Sequence, residues 1–228
     1  MFIGIGTSVP EISNLPGPSR PGGGGGGAFE YTAIDNSYSM KFDQASNSYF
    51  EITDEIFGGA TAFTISVWCN SISYGADRPI LAQWFGNNPG LFLLYHDAPS
   101  GWRVLFNTSA GQRSFQSSIT GSPNVWQHLV CRWDGSEIKF FLNKTTTDTG
   151  SAVGGNMTNT NSLYIGADVG LSTRDWHGNL DELAIWTTAL SDETIEAIYD
   201  TTANNPGKVA DLSETPEGQP TAWYRMGD

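Results

Sequence analysis

Asp181 stands in LDELAIW, residues 180–186, where strict alternation sets it on the same face as Leu183 and Ile185. A carboxylate turned toward an apolar sheet face has to be paired, hydrogen-bonded or bound to a metal ion. Backbone N–H groups from a loop would satisfy it as well as a cation would. Glu182, one residue on, falls on the opposite face. Cleaving a glycan would ask for more, because two carboxyl groups must flank the scissile bond roughly 5–9 Å apart. No strand carries acids at i, i+2 and i+4, and Glu51, Asp54 and Glu55 crowd a turn. His96, His128 and His177 are isolated, without the spacing of metal ligands, and no Gly-x-Ser-x-Gly element is present. The expectation is a protein that is not an enzyme.

Binding a sugar asks for less: aromatic rings to stack on and amides or charged groups for the hydroxyls. AQWFGNNPG (82–90), Tyr95, Trp102, Arg113 and RDWHG (174–178) bring such groups into or near loops. Trp84, Asn87, Tyr95, Trp102, Arg113 and Trp176 are therefore candidate carbohydrate-binding residues. Trp68, Trp126, Trp133 and Trp186 lie within strands and read as core or sheet-face residues, and Trp102 is open to the same reading. Trp84 and Trp176 fit either role. Asn107, Asn143 and Asn156 match the N-glycosylation pattern, which matters only for an exported chain.

These groups must be positioned by strands. The chain has 228 residues with 8 Trp, 8 Tyr and 12 Phe, while only 15% of residues are charged. Many aromatics, few charges and frequent Gly, Ser, Thr and Asn are marks of an all-β domain. YSMKFD (38–43), SYFEIT (48–53) and AFTISVWCN (62–70) alternate as half-buried or core strands. GLFLLYH (90–96) and GWRVLFN (101–107) form a hairpin across Asp97 to Ser100. WQHLVCRWDGSEIKFFLN (126–143) is a hairpin with Asp134-Gly135 at its tip. SLYIGAD (162–168) and GNLDELAIW (178–186) complete roughly ten strands, and no internal repeat interrupts them. One helix follows in LSDETIEAIYD (190–200). Ser191 is its N-cap, Asp192 and Glu193 face its positive end, and Leu190 with Ile195 forms a hydrophobic staple. Cys69 and Cys131 sit inside strands and read as buried free thiols.

Net charge is −13, from 24 acidic against 11 basic residues. Such a chain is repelled by phosphate backbones and anionic lipid, which argues against nucleic acid and membrane as partners. No stretch reaches the ~18 apolar residues of a membrane span. MFIGIGTSVPEISNLPG lacks the basic start of a signal peptide, so synthesis in a cytoplasm with the N-terminus retained is expected. Residues 1–27 read as an extended arm, with Pro10, Pro16, Pro18 and Pro21 preceding the run Gly22 to Gly27. Six glycines have no side chains of their own to bury, so the arm holds one shape only against another surface.

Four blocks, in order, carry a resemblance: YSMKFDQASNSYFEI, FTISVWC, WQHLVCRWDG and LYIGADVGLSTRDWHGNLDELAIWTTALSDETIEAIYD. Together, over about residues 35–200, they resemble the laminin-G-like, concanavalin-A-like jelly-roll family. The resemblance implies two packed antiparallel sheets of 6–7 strands each. It divides the chain into the arm (1–27), a jelly roll (28–203, helix 191–200) and a tail (204–228). PTAWYRMGD, at the end of that tail, looks like the family's opening strand placed at the C-terminus, either filling the missing first-strand position as an edge strand at 220–226 or beginning a further segment. The family commonly holds calcium near Asp181, and Asp43 is the second ligand the resemblance suggests. Jelly rolls behind Gly-rich segments also resemble structural proteins of tailed bacteriophages. The implied function is a non-enzymatic virion component, in capsid decoration, a fibre or an appendage. Pro16, Pro18, Pro21, Gly22 and Gly27 of the arm would anchor it to other virion subunits, as a homo-oligomer. The alternative is a lectin-like module or adhesin that binds host-surface glycans.

Overall fold

The alternating stretch at 62–70 becomes a nine-residue strand, Phe63–Ser71, whose inward side chains Phe63, Ile65, Val67 and Cys69 are sealed from solvent. The computed structural model describes residues 7–8, 29–44, 48–74, 77–85, 88–152, 154–158, 162–168 and 174–226. In chain order these form β1 (Thr7–Ser8), β2 (Ala33–Asp35), β3 (Tyr38–Phe42), β4 (Phe50–Ile52), β5 (Phe63–Ser71) and β6 (Arg78–Phe85). Next come β7 (Asn88–Asp97), β8 (Gly101–Thr108), β9 (Gly111–Gln116), β10 (Gln127–Trp133), β11 (Glu137–Leu142) and β12 (Thr145–Ser151). The last elements are β13 (Leu163–Ile165), β14 (Gly178–Trp186), α1 (Asp192–Asn204), β15 (Lys208–Ala210) and β16 (Ala222–Tyr224).

Two antiparallel sheets face each other. One has eight strands in the order β1-β3-β14-β5-β10-β11-β12, with β16 also on β14, and the other runs β4-β13-β6-β7-β8-β9. The protein is thus an all-β jelly-roll sandwich with one short helix. A small third sheet pairs β15 with β2. Between the main sheets lie Phe57, Phe63, Phe92, Phe106 and Trp133, their rings meeting at centroid distances of 4.8–5.9 Å. Burial of each such side chain is worth about 1.5–3 kcal/mol, so this cluster is the main adhesive between the layers. Trp133 satisfies its indole by donating to the Ala152 carbonyl at 2.8 Å.

Local chemistry sets the turns. Asp134 Oδ1 accepts the backbone N–H groups of Ser136 and Glu137, and Gly135 takes φ +93° at the β10–β11 tip. The helix starts as its residues require, with Ser191 Oγ accepting from Thr194 N at 3.1 Å. It runs on to Asn204, four residues beyond the 200 expected, because Thr202 buries its methyl and donates its hydroxyl back to the Ile198 carbonyl. Cys69 and Cys131 are free and buried. On the neighbouring strands β5 and β10, Cys69 stands opposite Gln127 and Cys131 opposite Ile65. Four residues of stagger, roughly 13 Å along the ladder, puts them beyond disulfide reach.

Candidate functional site

A sandwich has two outer faces, and here they differ. On the eight-stranded sheet, Val130, Phe141, Ala184 and Trp186 are covered by Leu190, Ile195 and Ile198 of the helix region. Beside them Trp68 and Trp126 pack against Tyr199. Three aliphatic side chains and a tyrosine at helical spacing close that face. On the six-stranded sheet no helix lies over the outer face among the described residues.

The outer face of this sheet is built by alternation. Leu163 and Ile165 of β13 enter the core, so Tyr164 between them turns out, opposite Glu51 of β4 and Ala82 of β6. Tyr164 Oη donates to Glu51 Oε1 at 3.3 Å, and its ring meets that of Tyr49 edge-on at 5.6 Å. Tyr49 is 45% exposed. Further along, Tyr95 of β7 stands opposite Arg103 of β8. Arg103 Nη1 donates to Tyr95 Oη at 3.4 Å and to Asp97 Oδ2 at 3.2 Å, while its Nε donates to Ser114 Oγ at 3.3 Å. Burial raises the Tyr95 and Tyr164 phenols above their ordinary pKa, so both remain hydrogen-bonding hydroxyls at neutral pH. The face thus carries two polar-aromatic stations, Tyr49/Glu51/Tyr164 and Tyr95/Asp97/Arg103, in which Tyr164 and Tyr95 are themselves buried and the groups open to solvent are Tyr49, Glu51, Asp97 and Arg103. Such a surface suits a ligand with both apolar faces and hydroxyls.

The sequence-predicted residues fall unevenly about this face. Tyr95 is on it. Trp102 and Trp176 are not; both are almost wholly buried, 6.3 Å apart, in a cluster with Tyr74 and His96. For Trp102 the reason is register, since it stands opposite His96 and points into the sandwich, while Trp176 lies fully buried in the same core cluster, so neither indole receives a ligand. Arg113 stands opposite the inward-facing Phe106 and donates to the carbonyls of Gln112 and Ala110 in its own hairpin. The Trp84 side chain, Asn87, and Pro16, Pro18, Pro21, Gly22 and Gly27 of the arm lie outside the described residues. Asp97, Arg103, Tyr49, Glu51 and Tyr164 were missed. Their only sequence signal is the outward phase of alternation, which becomes a site when separate strands are laid side by side.

Asp181 corrects the alternation argument. Its strand pairs Asp181 with Trp68 and then Ala184 with Ser66, so β14 spends one residue more than β5. That bulge, with Glu182 at φ +49°, reverses which residues face the core. Leu183 and Ile185 still point inward, whereas Asp181 lies on the helix side opposite Trp68. Asp181 and Glu182, expected on opposite faces, both accept from Asn36 Nδ2, at 2.9 and 3.5 Å. Asp181 Oδ1 also accepts the Glu182 N–H at 2.9 Å. Asp43 follows β3 at its far end and is exposed. The β3–β14 register sets it about four residues, roughly 13 Å, from Asp181. Calcium takes six to eight oxygens, and this pair does not fit one ion. Among the described residues no three His, Cys, Asp or Glu side chains are placed to share a metal.

The laminin-G-type family model described as the concanavalin A-like lectin/glucanases superfamily matches residues 43–196. The chain belongs to that superfamily. No curated protein matches the chain in sequence. Among solved structures, it is similar to a provisionally assigned carbohydrate binding protein of Bacteroides ovatus, with TM-score 0.61, 15% identity and 88% of this chain covered. The match spans 53% of that protein, about half its length. Domain 4 of AbnA, an extracellular arabinanase from Geobacillus stearothermophilus, in complex with arabinotriose, gives TM-score 0.56 and 14% identity over 85% of this chain and 86% of that one. The enzymatically active domain of bacteriophage CBA120 tailspike protein 2 gives TM-score 0.59 and 12% identity, over 86% of this chain and 32% of that one. At these identities the likeness concerns the fold, and the structures compared include both a carbohydrate binding protein and domains of enzymes.

Proposed function

We propose that this superfamily member is a non-catalytic carbohydrate-binding module whose ligand lies on the outer face of the six-stranded sheet. One observation carries the reading. The helix closes one face of the sandwich, while the other offers Tyr49 and Glu51 around a buried Tyr164 and, two strands away, Asp97 and Arg103 around a buried Tyr95. The arabinotriose complex of the Geobacillus domain and the Bacteroides protein support it by analogy of fold. A glycan array probed with the whole chain tests it, followed by titration of Tyr49→Ala. Tyr49 is exposed, so its loss leaves the core intact and weakens binding by about tenfold, the scale of one lost contact. A chain that retains its near-ultraviolet circular dichroism yet binds no glycan overturns the reading.

A second reading concerns where the module works. The tailspike likeness and the Pro/Gly-rich segment at 1–27 favour a component of a bacteriophage particle, anchored by that segment and repeated as a homo-oligomer. Deleting residues 1–27 then abolishes incorporation into particles and leaves glycan binding unchanged. Particles that incorporate the truncated chain at the full level sink this reading.

A further inference from the structure

The station at Tyr95, Asp97 and Arg103 has a chemistry that selects among sugars, and this inference rests on the carbohydrate reading above. A guanidinium has five N–H donors in a rigid planar fork. In Arg103 the Nε is engaged by Ser114 and Nη1 by Tyr95 and Asp97. Nη2 makes no hydrogen bond to a described residue, and neither does Asp97 Oδ1. The Arg103 and Asp97 side chains are 35% and 24% exposed. Three partners on two strands therefore hold one guanidinium still while its remaining N–H groups, and the second oxygen of its carboxylate, face outward. An exposed arginine with no such support would lose rotamer freedom on binding; this one has already lost it.

We propose that Asp97 and Arg103 together read two adjacent hydroxyls of a neutral sugar. Each sugar hydroxyl both donates and accepts, so a donor and an acceptor held side by side match a vicinal pair. The pair carries no net charge, because Arg103 is neutralised by Asp97 at 3.2 Å. A carboxylate on the ligand would meet Asp97 within the same station, in the field of a chain with net charge −13. Uronic and sialic acids are thus selected against by the residue that makes hydroxyl recognition possible. An arginine without this acid would select the opposite class.

Isothermal titration of the full chain separates the outcomes. The probes are neutral oligosaccharides with free vicinal hydroxyls, the same sugars O-methylated at one of the two, and uronic- and sialic-acid oligosaccharides. Neutral sugars bind, and methylation weakens them roughly tenfold or more, as expected for one lost hydrogen bond to a charged group. Asp97→Asn and Arg103→Met each weaken them by a similar factor. Arg103→Met keeps the stem that packs beside Tyr95, and thermal melting of both variants checks that the fold survives. Tighter binding of the acidic sugars, strengthened further in Asp97→Asn, overturns the proposal and leaves the carbohydrate reading standing. Unchanged affinity for neutral sugars in both variants also overturns it. Failure of the chain to bind any sugar overturns the carbohydrate reading itself.

Discussion

His128 is flanked by the rings of Trp68 and Tyr199, at 5.1 and 6.2 Å, with Ser66 Oγ 2.7 Å from its Nε2. No acid among the described residues contacts it, and burial lowers its pKa to about 3. His96, between Tyr74 and Trp102, is lowered to about 4 by burial, against a smaller upward pull from Asp97. The sign follows from which state binds the proton. Below the unfolded value of about 6.5 the unfolded chain protonates both imidazoles while the native chain keeps them neutral. Their contribution is whole above pH 6.5 and is lost progressively as pH falls toward 4 for His96 and toward 3 for His128. One pKa unit is about 1.4 kcal/mol, so His128 alone removes up to about 5 kcal/mol across that range. Urea midpoints measured from pH 7 to pH 4 are expected to fall, and His128→Phe is expected to flatten the decline. An identical slope in that variant would place the acid sensitivity elsewhere. Spacing alone marked these histidines as isolated; that they are caged in aromatic contacts is a property of packed strands.

At the scale of elements, β14 is the organising strand. Its free edge is shared end to end by β3, at Gly178 to Leu180, and by β16, at Leu183 to Ile185. The bulge between them turns Glu182 to hold the C-terminal strand. Glu182 Oε2 accepts from Trp223 Nε1 at 2.6 Å and Oε1 from Arg225 Nε at 3.3 Å, while Arg225 Nη2 donates to the Asp35 carbonyl at 2.5 Å. Replacing Glu182 by Ala leaves those donors without their acceptor in a half-buried setting, at a cost of about 2–4 kcal/mol. Hydrogen exchange is expected to quicken at 222–224 before it does in β5 or β10; uniform quickening would mean that the strand does not detach separately. Gly178 is a second fixed point, at φ +144° with the place of a Cβ only 2.1 Å from the Asn70 carbonyl oxygen. Gly178→Ala is expected to destabilise the fold by at least about 2 kcal/mol in denaturant titration, since neither the dihedral nor the neighbouring backbone can give cheaply.

For the molecule as a whole, the helix covers one outer face of the sandwich, and the proposed ligand face is the other. Because Asp181 is held by Asn36 and by the Glu182 N–H, chelation by EDTA is expected to leave the melting temperature unchanged; a fall on chelation, restored by calcium, would reveal a metal held elsewhere. The sequence by itself determined the all-β class, the hairpins at 90–107 and 126–143, the capped helix and the inward phase of most strands. Those features depend on neighbours within a few residues, where alternation and turn chemistry act. The tertiary structure alone decided the rest. It buried Trp102 and Trp176, turned Asp181 away from Leu183, and set Glu51 by Tyr164 and Arg103 by Asp97. Each of these depends on cross-strand register or on one inserted residue, and a one-residue shift exchanges the two faces of a strand. Local pattern carries the period of a strand, and only the partner strands supply its phase.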